Sequence, residues 1–299
     1  MDKNLKIDYH SLMDLRIDFA FKSLFAKGDP TPLISLLNAI FANKKIQRVI
    51  QTLTVKNPYL EKETSEDKLS ILDIRAELED GTNILIEMHM HGLWELKPKT
   101  IRSWARAYGE DLEVGASFNS QPPTITIAFT DGQIKTLNPT NTDNHKIHRL
   151  CMIMDVEDAT VFTDAMELHY IDMKAFAKAV NENQGFSSKD TEEALFSKWL
   201  SVITQKEIHN KEIVENAVQG EEAIYMAVTA LARQGEDKIV RQAYQRRKDE
   251  ILSYNQNMAE REEYKQRAEQ AEAELMDKDA LLLDKDALIA ELQAKLASK

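Results

Sequence analysis

The sequence predicts a mixed α/β core followed by an all-α C-terminal region. All seven prolines lie at or before Pro139, and no glycine follows Gly235. The last stretch with strand-like alternation lies around residues 165–172, and helix formers dominate after it. Across 299 residues, 43 % apolar and 29 % charged side chains supply enough material for a sizeable core and argue against wholesale disorder. The expected organisation is a core over 1–175, a helical region over 176–255 and a charged helix over 256–299 that can form a short coiled coil.

The elements follow from local pattern. Residues 12–26 carry Leu12, Leu15, Phe19 and Phe25 at helical spacing, with Gly28 as a natural stop. Residues 32–42 (PLISLLNAIFA) read as a second helix, 46–55 as a strand, and 60–68 (LEKETSEDK) as a polar loop. Residues 99–118 look helical, although Gly109 and Gly115 interrupt them. The β-branched density of 124–130 (TITIAFT) predicts a strand, and 148–156 with 165–172 predict a strand pair. Helices are expected at 192–203, at 221–233 and over a long run from Lys238.

A net charge of −12 argues against simple electrostatic wrapping of nucleic acid. The excess is spread along the chain, with 20 basic against 26 acidic residues in 1–175 and 18 against 24 in 176–299. A nucleic-acid enzyme with this balance needs a local basic groove or metal ions. The single Cys151 cannot form an intrachain disulfide. No apolar run approaches the roughly 20 residues of a membrane span, and the N-terminus lacks the apolar stretch of a secretory leader. A soluble, cytoplasmic protein is expected.

The chemistry concentrates in 71–91, ILDIRAELEDGTNILIEMHMH. Leu72, Ile74, Ala76 and Leu78 share one face of the first run, with Asp73, Arg75 and Glu77 on the other. In the second run, Ile84, Ile86, Met88 and Met90 alternate with Asn83, Leu85, Glu87, His89 and His91. A two-residue turn at Asp80-Gly81 would mix polar and apolar residues on both faces. A three-residue loop, Glu79 to Gly81, makes the faces agree and needs a left-handed residue where Gly81 stands. Ile74 then faces Ile86, Leu72 faces Met88, and Asp73 faces Glu87.

Opposed carboxylates with Cβ atoms about 5 Å apart repel unless something compensates. Arg75 can do so in part. A divalent cation between hard oxygen ligands is the sharper explanation, and it suits Mg²⁺ or Mn²⁺. The bland alternative is a solvated polar face, with His89 and His91 as ordinary surface residues. No third His or Cys has the spacing of a structural zinc site.

Five blocks of the sequence, in order, resemble the Rpn family of recombination-promoting nucleases, also described as PD-(D/E)XK nuclease family transposases. They are LRIDFAFK with Leu24-Phe25, ILDIRAELEDGTNILIEM, Arg106-Ala107-Tyr108 through Leu112, Gly115 and Phe118, then TITIAF, and MELHYIDMKAF. The resemblance covers roughly residues 12–176. It implies a restriction-endonuclease-like core in which Asp73 and Glu87 bind metal and the Met88 carbonyl adds a third oxygen. Asp18 is implied as an additional acidic residue, and it can equally form an i,i+4 ion pair with Lys22. Two residues after the strand carboxylate the wider superfamily places Lys and Rpn proteins place Gln. His89 stands there, able to orient or deprotonate water, to ligate the metal, or to mark lost activity.

The function expected is metal-dependent hydrolysis of DNA, in a recombination-promoting or genome-defence role. Arg102 and Arg106, four apart on one helix, are candidates for phosphate contact, against the alternative of surface ion pairs with residues such as Glu110. A different class of function also fits: a catalytically silent, DNA-associated assembly protein whose helical half does the work. In the tail, Leu275, Leu282, Ile289 and Leu296 recur every seven residues, with Ala271 and Leu292 at the complementary position and Lys278 and Lys285 interrupting it. Self-association through this stripe is the expectation, against that of a solvated amphipathic helix.

Overall fold

The computed structural model describes residues 7, 11–56, 74–90, 93–110, 115, 117–134, 146–183 and 191–297. Asp73, His91, Leu112, the loop expected at 60–68 and the pairing of Leu72 with Met88 lie outside the described residues. The chain forms two compact units, Met1–Arg247 and Lys248–Lys299.

The first unit is built on a six-stranded sheet. Its strands are β1 (Leu53–Lys56), β2 (Ile74–Leu78), β3 (Asn83–His89), β4 (Thr124–Thr130), β5 (His148–Asp155) and β6 (Thr160–Asp172), in the order β1-β2-β3-β4-β6-β5. β1, β2 and β3 form an antiparallel meander; β3, β4 and β6 run parallel, and β5 returns antiparallel on β6. The parallel step from β3 to β4 needs a crossover, and helix α3 (Leu93–Glu110) supplies it. Leu96 of α3 packs on Ala128, Leu168 and Tyr170, and Ala107 packs on Leu85.

The opposite face carries the main aromatic packing. Phe21 of α1 (Asp18–Phe25) meets Phe129 of β4 with ring centroids 5.7 Å apart, and Phe25 meets Trp199 of α5 (Thr191–Ile203) at 5.9 Å. Phe41 of α2 (Thr31–Asn43) packs on His169 of β6 at 5.6 Å. In α2, Leu33, Leu36, Leu37 and Ile40 are buried at spacings of three and four, the mark of one helical face turned to a core. Helices α4 (Met173–Asn183), α6 (Lys211–Val218) and α7 (Glu222–Glu236) follow, the last packing against α1 and α2. Helix α8 (Lys238–Ala297) supplies the end of the first unit and the described part of the second.

Several elements differ from expectation. The first helix starts at Asp18 rather than at residue 12, because 12–17 wraps around a buried ion pair. The Arg16 side chain donates to both Asp14 carboxylate oxygens, at 3.0 and 2.8 Å. The strand expected over 46–55 is confined to Leu53–Lys56, because the Asn38 side chain bonds both the N–H and the C=O of Ile50 and holds that stretch against α2. The third helix begins six residues early, running through Pro98, and ends at Glu110. Gly115 takes φ +89° and residues 118–120 form a 3₁₀ turn. The last strand starts at Thr160, five residues earlier than expected, and pairs with β5 across a bulge near Ile153. The strand at 124–130 is observed as expected.

The hairpin agrees with the expected register. Ile74 opposes Ile86, the Leu78 N–H donates to the Thr82 carbonyl, and Gly81 closes the loop at φ +82°.

Candidate active site

Strand β3 is paired on both edges, by β2 and β4, and α3 covers the face that carries the alternating polar residues. Leu85, Glu87 and His89 point to the α3 side. Glu87 is 4 % and His89 8 % exposed, so the solvated polar face is not what forms here. A buried carboxylate needs partners, and Glu87 has them. Its Oε2 lies 2.6 Å from Nε2 of His89, and the Ser103 hydroxyl of α3 donates to the same carboxylate. Lys99, one turn earlier on α3, adds positive potential.

Burial alone would push the Glu87 pKa up. The His89 hydrogen bond and charge, with Lys99 and Ser103, outweigh it and hold the carboxyl below the ordinary carboxylate range. Glu87 is therefore an anion at neutral pH. Against an anionic acceptor, Nε2 of His89 is a nitrogen that carries a hydrogen. On the same rung two strands away, burial pushes the Tyr170 phenol up to about 12, and the Glu87 charge adds to the effect.

The remaining candidates fall in different places. Arg106, three residues beyond Ser103, is half-buried, and both terminal guanidinium nitrogens lack a hydrogen-bond partner among the described residues. Arg102 is exposed. Glu110 pairs with Arg75, whose Nη1 lies 3.0 Å from its carboxylate. Met88 is half-buried. The carbonyl of His89 accepts from Asp131 N–H on the β4 side, so by strand alternation that of Met88 points to the β2 side. Asp18 receives the Arg247 guanidinium at 2.8 Å, an ion pair that bridges α1 and α8 within the first unit.

Among the described residues, no three His, Cys, Asp or Glu side chains converge as a metal-binding group. Glu87 and His89 offer the kind of oxygen and nitrogen donors that a divalent ion accepts, and they fit such an ion as part of a larger ligand set.

Sequence reasoning missed Ser103, Lys99 and Tyr170. The four-residue spacing of Lys99 and Ser103 placed both on one helical face, but nothing local tied that face to β3. The late block is also divided by the sheet. Tyr170 shares the Glu87 face, whereas Glu167 and His169 point to the other. There they form a buried chain in which Arg48 meets Glu167 at 3.1 Å, Glu167 meets His169 at 2.7 Å and His169 meets His148 at 2.8 Å.

A family model described as PD-(D/E)XK nuclease family transposase matches residues 15–273, well beyond the blocks that first suggested it. No curated protein and no solved structure matches the chain. No helix of the described residues is long and apolar enough to cross a membrane. The sheet order and the α3 crossover fit a PD-(D/E)XK core, and with the match over most of its length the chain belongs to the PD-(D/E)XK nuclease family transposases.

Proposed function

We propose that the protein is a metal-dependent DNA endonuclease, Rpn-like in its chemistry, with Glu87 and Asp73 as the carboxylates that hold Mg²⁺ or Mn²⁺. The observation that carries this reading is the anionic Glu87, buried under α3 and held by Ser103 and His89. The sequence reading pairs Asp73 with Glu87, and the pairing of Ile74 with Ile86 is the register that reading requires. When bound, the ion supplies Lewis acidity toward the scissile phosphate and lowers the pKa of water beside it.

This chain's own residues do the rest. Glu87 and Asp73 fix the ion's position. His89 donates Nε2–H to Glu87 and accepts the attacking water's proton at Nδ1. Lys99 offsets negative charge from the roof. Arg106 and Arg102, on one helix, contact the phosphate, Arg102 from an exposed position.

The test is cleavage of supercoiled plasmid with Mg²⁺, Mn²⁺ or EDTA. Metal-dependent nicking is expected from the native chain. Asp73→Ala and Glu87→Ala should each lose it by about 100-fold or more while keeping a native circular dichroism spectrum. Undiminished cleavage by both variants would overturn the site assignment. One observation favours a second reading, a silent core in a DNA-associated assembly protein: Glu87 and His89 already satisfy one another at 2.6 Å. No cleavage with either metal, from folded protein that still binds DNA, would select it. Restored cleavage in His89→Gln would then identify His89 as the cause.

A further inference from the structure

Strand β6 is longer than its place in the sheet requires. Its pairing with β4 begins at Met166, opposite Thr124, so residues 160–165 run on with only β5 beside them. With residues 153–155 they form a two-stranded arm. Its turn is held by the Asp155 carboxylate, which accepts the N–H groups of Glu157 and Asp158. A lone hairpin is marginal in water, and this one carries apolar side chains into it. Ile153, Met154, Val156, Val161 and Phe162 are all exposed, Phe162 by 73 % and Val156 by 92 %.

The arm is also acidic. Residues 153–164 hold Asp155, Glu157, Asp158 and Asp164 and no base. That charge repels DNA, and it repels a second arm of the same kind. A surface that is apolar and basic together is what fits it.

The chain has such a surface at the root of α8. Residues 238–247 hold Lys238, Arg241, Arg246 and Arg247 and no acid. Asp237, just before them, is used as the helix cap, its carboxylate accepting the Ile239 and Val240 N–H groups. Arg247 is taken by Asp18, and the buried Tyr244, whose hydroxyl accepts the Asp14 N–H, marks the inner side. Lys238, Ile239, Arg241 and Arg246 are exposed, Ile239 by 78 %. Among the described residues these three cations form no ion pair.

Arm and root lie at opposite ends of the sheet. The root sits on residues 14–18, where the Arg16 charge acts on Asp131, just past the end of β4. Twelve residues of β6 separate Asp172, which opposes Thr130 at that end, from Thr160 in the arm. That is about 40 Å of strand, too far for the two to meet within one chain.

We propose that the β5–β6 arm docks on the α8 root of a second copy of this chain, its apolar residues against Ile239 and its acids against Lys238, Arg241 and Arg246. The contact does not depend on the cleavage reading. It is smaller than a standard interface and weak by itself, so proximity rather than mass is its readout.

Cross-linking between two differently tagged, co-expressed full-length chains tests this. Both carry Cys151→Ser, one with Thr160→Cys in the arm and the other with Gln242→Cys on the root, and a bismaleimide joins thiols that come close. The mixed-chain product should exceed either same-chain product about fivefold at low salt and fall as salt screens the charges. Lys238→Glu/Arg241→Glu on the root chain should reduce it about tenfold, and adding Glu157→Lys/Asp158→Lys to the arm chain should restore it. Phe162→Ser in the arm chain should reduce it at any salt.

A mixed-chain product no more abundant than the same-chain products overturns the proposal, as does a loss that the exchange of charges leaves unrestored. Loss of duplex DNA binding by the root variant, with no mixed-chain product from the native charges, would make the root a DNA contact and overturn it too.

Discussion

Glu87 and His148 show how the same burial produces opposite ionisation states. Glu87 finds a donor on each side and remains charged. His148 is packed against a second imidazole and near Lys44, and its pKa is pushed down to about 2, first by burial and then by those neighbours. His169 is lowered too, chiefly by burial.

The sign for stability follows. His148 stays neutral in the fold while the unfolded chain takes up a proton below about pH 6.5. Its contribution is complete above that pH and falls away as the pH drops toward the folded value. At pH 5 the loss is on the order of 2 kcal/mol. Urea unfolding at pH 7.5 and 5.0 should therefore show a fall in stability that His148→Gln reduces by about that amount. A pH dependence that the substitution leaves intact would place the titrating group elsewhere.

At the scale of the element, the β2–β3 hairpin and α3 carry the site. Gly81 is required by its backbone at φ +82°, not by space, since an added Cβ would meet Pro122 at an ordinary 3.5 Å. Gly81→Ala should cost about 1–2 kcal/mol, read as a lower urea midpoint with an unchanged m-value. Arg106 on α3 makes a sharper case. Among the described residues its terminal guanidinium nitrogens find no acceptor, a cost that a long apolar side chain would remove. Arg106→Met should raise the melting temperature while lowering DNA affinity and cleavage. A fall in both would make Arg106 a structural residue.

For the whole molecule, the second unit raises the question of self-association. Along α8, Leu275, Leu282 and Ile289 are each more than half exposed. Helical pairing of two copies would bury it. Light scattering should give a multiple of the chain mass for the native protein and the single-chain mass for a chain ending at Asn255, with Leu275→Asp/Leu282→Asp in the full chain behaving like the shortened one. A native protein that runs at single-chain mass would leave α8 as a solvated helix.

The sequence by itself determined the hairpin register, the strand at 124–130, the helical character after residue 175 and the family. These depend on contacts close in sequence: period-two alternation around a turn with one left-handed position, β-branched density, and a scarcity of Gly and Pro. Residues 12–17 were read as helix because periodicity cannot reveal that Asp14 and Arg16 bond each other in a turn. The roles of Ser103 and Lys99 were invisible for a related reason, since whether a polar helical residue faces water or a carboxylate depends on which strand lies beneath it. Only the tertiary structure decided that Glu87 is buried against His89 and that Asp18 belongs to Arg247. Each of these is set by long-range packing and by charge in a low-dielectric interior, which no local pattern encodes.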